Sequence, residues 1–446
     1  MKHYHLPKEV DYILTKINQH GYEAYLVGGC VRDLLLFLSP KDWDIATNAS
    51  PEIIIAIFRD DKKITDYARH GTVSVILNEI AYEITTYRIE GIYSDFRHPD
   101  NVMFTNQLFH DLSRRDFTIN ALALDRDKVI DYFGGLNDIQ QKLIRCVGDP
   151  TSRFREDPLR ILRALRFSSV LQFEIEEKTA SALFAELSSI HKVSVERVSN
   201  ELNQILMGKN CVSTLAYYSE VIFSLMPELK KMSGFDQMNH HHVYDVWTHT
   251  LQALGNTPDV LILRIAVLFH DAGKPDSFTI DGSGVGHFYG HPELSAQIAR
   301  TVLERLHYSK KIIDTTVSLI RYHDAALLPN SISIKQLLYK VGKEEFEQLL
   351  LIKKADILAQ NPDYRNTNLS YLDQIRNVYN DIINRNECYS LSQLSVSGRD
   401  LMQLGIPEGS RIGEMLDILL RMVIQNEIPN EKNALIQAVC SMIKNN

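Results

Sequence analysis

Hydrophobic and polar positions change rhythm once along this chain. Over the first stretch, short apolar runs alternate with helical spacing. Residues 22–27 (YEAYLV) form a buried-strand pattern ending at Gly28-Gly29, and residues 31–38 follow with the period of a helix. Residues 72–77 and 81–87 read as two strands around a turn at Asn78-Glu79. Residues 121–125 and 129–133 read as another hairpin. From residue 137 the strand signal nearly vanishes, and capped helical periodicity runs to the C-terminus. A glycine-rich insertion at 281–290 interrupts it, and the polar stretch NPDYRNTN (361–368) reads as a linker to a tail of short helices. The pattern predicts an α+β protein: a mixed-sheet head at 1–136, a helical neck at 137–235, a helical body at 236–360 and a helical tail at 361–446.

Composition adds limits. The 446 residues are 45 % apolar and 23 % charged, an ordinary globular mix with room for about three domains. Cys30, Cys146, Cys211, Cys388 and Cys440 show no C-x-x-C spacing, which suits a reducing cytoplasm and argues against disulfides or a zinc site. No apolar run approaches the ~18 residues of a membrane helix, and MKHYHLPKEV lacks the apolar core of a secretory signal. A cytoplasmic protein without a membrane partner is expected. The net charge of −8 by itself counts against a nucleic-acid partner. Arg153, Arg155, Arg160, Arg163 and Arg166 are nevertheless crowded together, and Arg114 adjoins Arg115, so basic surface can sit on an acidic whole.

Asp42 and Asp44 are the first candidate chemistry. In a strand, residues i and i+2 share a face, so two carboxylates converge. Convergent carboxylates repel unless a cation neutralises them, and hard oxygen ligands select Mg²⁺ or Mn²⁺. Glu83, in YEITTYR, is a candidate third carboxylate. Gly28 and Gly29, between strand and helix, let backbone N–H groups approach a phosphate, and Arg32 adds charge. A solvated surface strand is the plainer alternative for D-x-D alone; the Gly-Gly-x-x-Arg-Asp segment upstream weighs against it. A second candidate is Asp157 with Arg160, Arg163 and Arg166, spaced by three along one helix face. A carboxylate beside a guanidinium matches the amino donor and ring-nitrogen acceptor that cytosine and adenine share. Uracil and guanine reverse that order and leave charged groups unpaired, a costly mismatch. A charged helix with internal ion pairs is the alternative.

LVGGCVRDLLL, KDWDIAT, RRDFTINALAL and RFREDPLRILRALRF closely resemble the class II tRNA nucleotidyltransferases, the CCA-adding enzymes and their bacterial poly(A) polymerase relatives, over about residues 20–205. The resemblance implies a polymerase-beta-like head and Mg²⁺ on Asp42 and Asp44, with Glu83 as the third acidic residue. It also implies contacts from Gly29, Arg32 and Arg114 to the nucleotide's phosphates or sugar, and selection of CTP and ATP by Asp157 and Arg160. The partners it implies are tRNA, CTP and ATP. The polar segment RIEGIYSDFRHPDNVMFTNQLFHDLS reads as a mobile loop of the kind that CCA-adding members keep and CC-adding members shorten.

In the helical half, His249, His270-Asp271, His291, His323 and Asp356 lie on or at the ends of predicted helices. VWTHTLQAL, RIAVLFHDAGKP, GHFYGHPELSA, LIRYHD and KKADILA resemble the HD phosphohydrolase superfamily, which implies an HD-type body holding a further divalent metal. Isolated helical histidines are more often packed or surface residues, and metal binding does not by itself establish hydrolysis. His240-His241-His242 offers more ligands from a loop. The expected function is therefore template-free addition of CCA to tRNA by a CTP(ATP):tRNA nucleotidyltransferase, with HD phosphohydrolase activity as an addition. The alternatives are an A-adding enzyme or poly(A) polymerase, and an HD phosphohydrolase with an RNA-binding head. The oligomeric state is not legible.

Overall fold

The computed structural model describes residues 4–91, 96 and 101–444. The chain divides into two compact units, Met1–Leu225 and Met226–Asn446.

The first unit carries a mixed sheet. Its strands are β1 (Ala24–Val27), β2 (Asp44–Thr47), β3 (Lys62–Ile64), β4 (Thr72–Leu77) and β5 (Ile80–Thr86). A separate hairpin, β6 (Arg88–Glu90) with β7 (Val102–Phe104), follows, and β8 (Leu122–Asp125) with β9 (Lys128–Asp131) completes the sheet in the order β3-β4-β5-β2-β1-β8-β9. Within this sheet only the β2–β5 pairing is parallel, and its register sets Asp44 opposite Glu83. Alternation along β5 buries Tyr82, Ile84 and Thr86 and leaves Glu83 on the open face. The buried set packs with Leu26, Ile45, Val73 and Val75 and with Val10, Ile13 and Leu14 of the helix Lys8–Gln19. Of the polar loop expected after β5, residues 92–95 and 97–100 lie outside the described residues.

Asp42 precedes β2 rather than lying in it. β1 supplies no partner there: the paired register begins at Leu26–Ile45, and beyond Val27 the chain turns at Gly28 into the helix Gly29–Leu35. The expected helix through 157–166 is also interrupted. Pro158 disfavours helical geometry at the residue before it, so Pro150–Glu156 ends at Asp157 (φ −140°, ψ 98°) and a new helix runs Leu159–Leu171. That helix packs on Val195–Met207, and Gly208 permits the approach: a Cβ there would stand 2.1 Å from Ser169 Oγ and 2.6 Å from its backbone carbon.

The second unit is helical apart from the small hairpin Thr279–Ile280 with Gly286–His287, formed by the glycine-rich insertion. Its helices include Val246–Gly255, Leu261–Phe269, His291–Arg305, Lys310–Tyr322, Ser331–Ala359 (broken at Gly342, φ 77°) and Pro362–Asn384, with Ser410–Ile424 and Lys432–Lys444 beyond. The linker expected at 361–368 is the start of this last helix. Asn361 accepts from Asp363 N at 3.1 Å and Pro362 stands in the first turn, so the polar run is a cap and a solvated helical face. A third core gathers Leu401, Leu419, Leu420, Leu435 and Val439. No helix among the described residues is long and apolar enough to cross a membrane.

Gly208→Ala is expected to destabilise the first unit by about 2–3 kcal/mol, because backbone rather than a flexible side-chain end blocks the added methyl. Urea unfolding followed by circular dichroism measures it; a change below about 0.5 kcal/mol would mean the helices can separate freely.

Candidate active sites

A cavity of about 630 Å³ in the first unit is lined by Gly28, Gly29, Asp42 and Asp44 together with Arg32, Arg115, Arg163 and Arg166. Glu83 stands beside Asp44 through its register on the neighbouring strand. The carboxylates perturb one another. Burial raises the proton affinity of Asp44, the Arg115 guanidinium opposes this, and Asp42 raises it further. Desolvation and then the charges of Asp44 and Asp42 raise Glu83. Crowded, partly desolvated carboxylates of this kind call for a cation.

Gly28 sits at φ 77°, and a Cβ would lie 2.7 Å from Arg115 Nη1 and 3.5 Å from Asp44 Oδ2. Only glycine leaves the backbone and Arg115 this close to the carboxylate. The adjoining helix has only seven residues, so the arginines rather than a helix dipole set the field.

Phe167 organises them. Arg32, Arg163 and Arg166 stand 5.0, 5.5 and 4.4 Å from its ring centroid, and Phe117 closes its edge at 5.7 Å. Each arginine is also tethered. Arg32 donates to Asp33 and Asn120 at 2.7 Å, Arg163 Nε donates to Asp116 at 2.8 Å, and Arg166 pairs with Glu201 at 3.2 Å. Asp116 is buried, yet Arg163 and Asn120 hold its carboxyl far below the usual range.

Four expected residues lie outside this lining, of which Glu83 adjoins it through Asp44. Arg114 caps the helix Leu108–Ser113 and bonds Glu90 at 2.9 Å and Asp111 at 2.8 Å; its neighbour Arg115 faces the cavity instead. Asp157 accepts from Leu159 N at 3.1 Å and Arg197 Nη2 at 2.8 Å. Arg160 donates to Glu156 at 2.6 Å and to Arg114 O at 3.2 Å. Their charges are satisfied by protein partners, as the ion-paired-helix alternative anticipates. Arg115, Asp116, Asn120 and Phe167 were missed, although RRDFTINA and the final Phe of LRALRF contain them.

The second unit brings all six expected His and Asp residues together. Asp271 is shared: Oδ2 faces His249 Nε2 at 3.5 Å and His270 Nε2 at 3.3 Å, while Oδ1 faces His291 Nε2 at 3.5 Å and His323 Nε2 at 3.8 Å. Asp356 Oδ1 lies 2.8 Å from His249 Nε2 and 3.7 Å from His270 Nε2. His270, His291 and His323 bond through Nδ1 to the carbonyls of Val267, Phe288 and Ile320 at 2.7, 2.8 and 2.7 Å. A carbonyl only accepts, so each Nδ1 carries the proton in a neutral ring and each Nε2 lone pair turns inward. Nε2 of His291 and His323 then face each other at 3.4 Å, and buried Nε2 of His270 has no hydrogen-bond partner. Burial, then the neighbouring His270, pushes His323 down to about 3, which keeps it neutral. Lone pairs and a carboxylate aimed at common points fit divalent cations. The groups His249–His270–Asp271 and Asp271–His291–His323 describe two positions sharing one carboxylate. His242, in the expected histidine loop, stacks edgewise on His249 at 5.0 Å. Lys274, one turn after the His-Asp pair, reaches Asp271 Oδ2 at 2.8 Å.

Three family models match the chain. Residues 24–145 match the poly A polymerase head domain, 172–232 a probable RNA and SrmB-binding site of polymerase A, and 290–439 a tRNA nucleotidyltransferase domain 2. A CCA-adding enzyme of Levilactobacillus brevis is 34 % identical over 98 % of both chains. One from Bacillus pumilus is 32 % identical over 95 % of this chain and 94 % of its own. The crystal structure of the Bacillus stearothermophilus CCA-adding enzyme in complex with CTP is 29 % identical, with a TM-score of 0.71 over 98 % of this chain and 99 % of that one.

The raised carboxylates of the first site give a pH signature. A carboxylate whose folded value is raised favours folding while protonated, and that contribution is lost as pH rises through the raised value. A bound divalent ion offsets the loss at neutral pH and is displaced by protons. Saturating Mg²⁺ is expected to raise the Tm near neutral pH and to do so little near pH ~4. In Asp44→Asn the neutral-pH gain shrinks. An equal gain at both pH values, or in both proteins, would contradict the assignment; differential scanning calorimetry reads it.

Proposed function

The chain belongs to the CCA-adding enzyme family, and from that premise we propose how its first site carries out CTP(ATP):tRNA nucleotidyltransfer. The reaction adds C, C and A to the tRNA 3′ end without a nucleic-acid template. The observation that carries the reading is the meeting, at one cavity, of Asp42, Asp44 and the adjacent Glu83 with Arg32, Arg115, Arg163 and Arg166, three of which gather about Phe167. Asp42, Asp44 and Glu83 would hold Mg²⁺, which when bound lowers the pKa of the attacking hydroxyl and neutralises the leaving pyrophosphate. Arg32, Arg163, Arg166 and Arg115 fix the triphosphate so that its α-phosphorus lies in line with the tRNA 3′-oxygen. Attack forms the new P–O bond and breaks the bond to pyrophosphate. Gly28 and Gly29 keep the phosphates close to the backbone.

Base choice falls to Asp157 and Arg160. Their present partners, Arg197 and Glu156, satisfy the same groups that a base edge would take. A cytosine or adenine edge can replace both at little cost, whereas uracil or guanine would displace them and leave two charges unpaired.

A second reading is favoured by the inward-facing lone pairs of the second unit. The six His and Asp residues there would hold one or two divalent ions in an HD-type centre, with His249, His270 and Asp356 on one side of Asp271 and His291 and His323 on the other.

The first reading is tested by Asp42→Ala with Asp44→Ala. Loss of CTP incorporation into tRNA lacking CCA by about a thousandfold or more is expected, several kcal/mol of transition-state stabilisation. Retention of full incorporation would remove these residues from catalysis. For the second, metal analysis after dialysis is expected to find His323→Ala short of one ion and Asp271→Asn short of both. Any hydrolysis of a 2′,3′-cyclic phosphate should vanish in His270→Ala with Asp271→Ala. Wild-type metal content in all variants would reduce the cluster to a packing feature.

A further inference from the structure

Asp157 and Arg160, the proposed base readers, stand outside the lining of the first cavity, whereas Arg163, Arg166, Phe167, Val170 and Leu171 line it. All but Asp157 lie on the helix Leu159–Leu171. A helix rises about 1.5 Å per residue, so Val170 stands roughly 15 Å along the axis from Arg160. A nucleotide whose base meets Arg160 therefore points its phosphates toward Arg166 and Val170. The lining continues there with Gln204, and with Leu38, Ser39 and Lys41 from the segment that follows the helix of Arg32.

Lys41 is the cation of this lining that the protein leaves uncommitted. Arg32, Arg163 and Arg166 are tied to Asp33, Asp116 and Glu201, and Arg115 Nη2 bonds Asp111 at 3.3 Å. Lys41 is exposed and, among the described residues, makes no hydrogen bond or ion pair. It immediately precedes Asp42, so its backbone is fixed beside the proposed metal site. Gln204 accepts from Arg166 Nη1 at 3.4 Å through Oε1, which leaves its amide N–H groups to a ligand. During transfer the tRNA 3′-oxygen bonds the α-phosphorus and its proton passes to water. The bond from that phosphorus to the α,β-bridging oxygen breaks, and its electron pair stays on the pyrophosphate, which gains one negative charge. A cation without a protein partner can meet that new charge without breaking an ion pair, so its contribution grows as the bond breaks.

We propose that Lys41, with the amide of Gln204, holds the leaving pyrophosphate and is a further substrate-positioning residue of the nucleotidyl transfer. The proposal rests on the first reading above for the direction of the nucleotide.

The test compares the full chain with its Lys41→Met, Lys41→Arg and Gln204→Met variants in CTP incorporation into tRNA lacking CCA. Pyrophosphate and CMP, which lacks the departing phosphates, are the inhibitors. Lys41→Met is expected to raise the inhibition constant of pyrophosphate by about tenfold or more, and to slow pyrophosphorolysis of tRNA ending in CC in the same proportion. Inhibition by CMP and KM for tRNA stay within about twofold, an outcome that general damage to the fold would not give. Lys41→Arg keeps the pyrophosphate constant within about threefold of the parent, and Gln204→Met raises it by a smaller factor than Lys41→Met. Unchanged pyrophosphate inhibition in Lys41→Met overturns the proposal, as does a raised KM for tRNA in its place, which would put Lys41 on the acceptor strand. Either result leaves the first reading standing. That reading falls separately, if Asp42→Ala with Asp44→Ala keeps incorporating CTP.

Discussion

Like charge held together governs the first unit. The parallel β2–β5 pairing puts Asp44 beside Glu83 by register alone, and the turn before β2 adds Asp42. Nothing in the packing of these strands asks for carboxylates there. The cost of crowding them is visible in the raised proton affinities of Asp44 and Glu83. In the same lining, three guanidiniums gather about the ring of one phenylalanine, each tied to a carboxylate or amide. On the proposed reading a metal triphosphate would complement both groups at once, and such preorganisation is where electrostatic catalysis gains most.

The second unit solves a different problem with similar means. Three histidines spend their Nδ1–H groups on backbone carbonyls one turn away, so their Nε2 atoms turn toward one another, the shared Asp271 and, for His270, Asp356. Burying such atoms unpaired costs free energy that an ordinary helical core would avoid. On the proposed reading divalent cations would remove that cost, and both units would then hold unfavourable polar arrangements that specific ligands relieve.

Much of this was legible in the sequence because it is local. Strand spacing, the Gly-Gly turn and the D-x-D carboxylates follow from neighbours in the chain, and the helical His and Asp positions converge as expected. What was not legible depends on where the chain turns or what packs against it. Asp42 leaves the strand because β1 ends first. Asp157 leaves the helix because Pro158 disfavours helical geometry at the residue before it, which the spacing of three does not reveal. The choice between Arg114 and Arg115 depends on how one short helix ends against the sheet. The polar run after Asn361 looks like a linker until its cap and the helix it opens are seen. Phe167 reads as core; only the arginines around it give it a role.

The central claim is that a protein site, without a template strand, dictates C, C and then A. Sequencing the 3′ ends of tRNA ending before CCA, after incubation with CTP alone, ATP alone and all four nucleotides, tests it most directly. The account predicts two added C residues with CTP alone, little extension with ATP alone, and CCA with the full set and then no further growth. Runs of A on the same tRNA, or U in place of C, would contradict it.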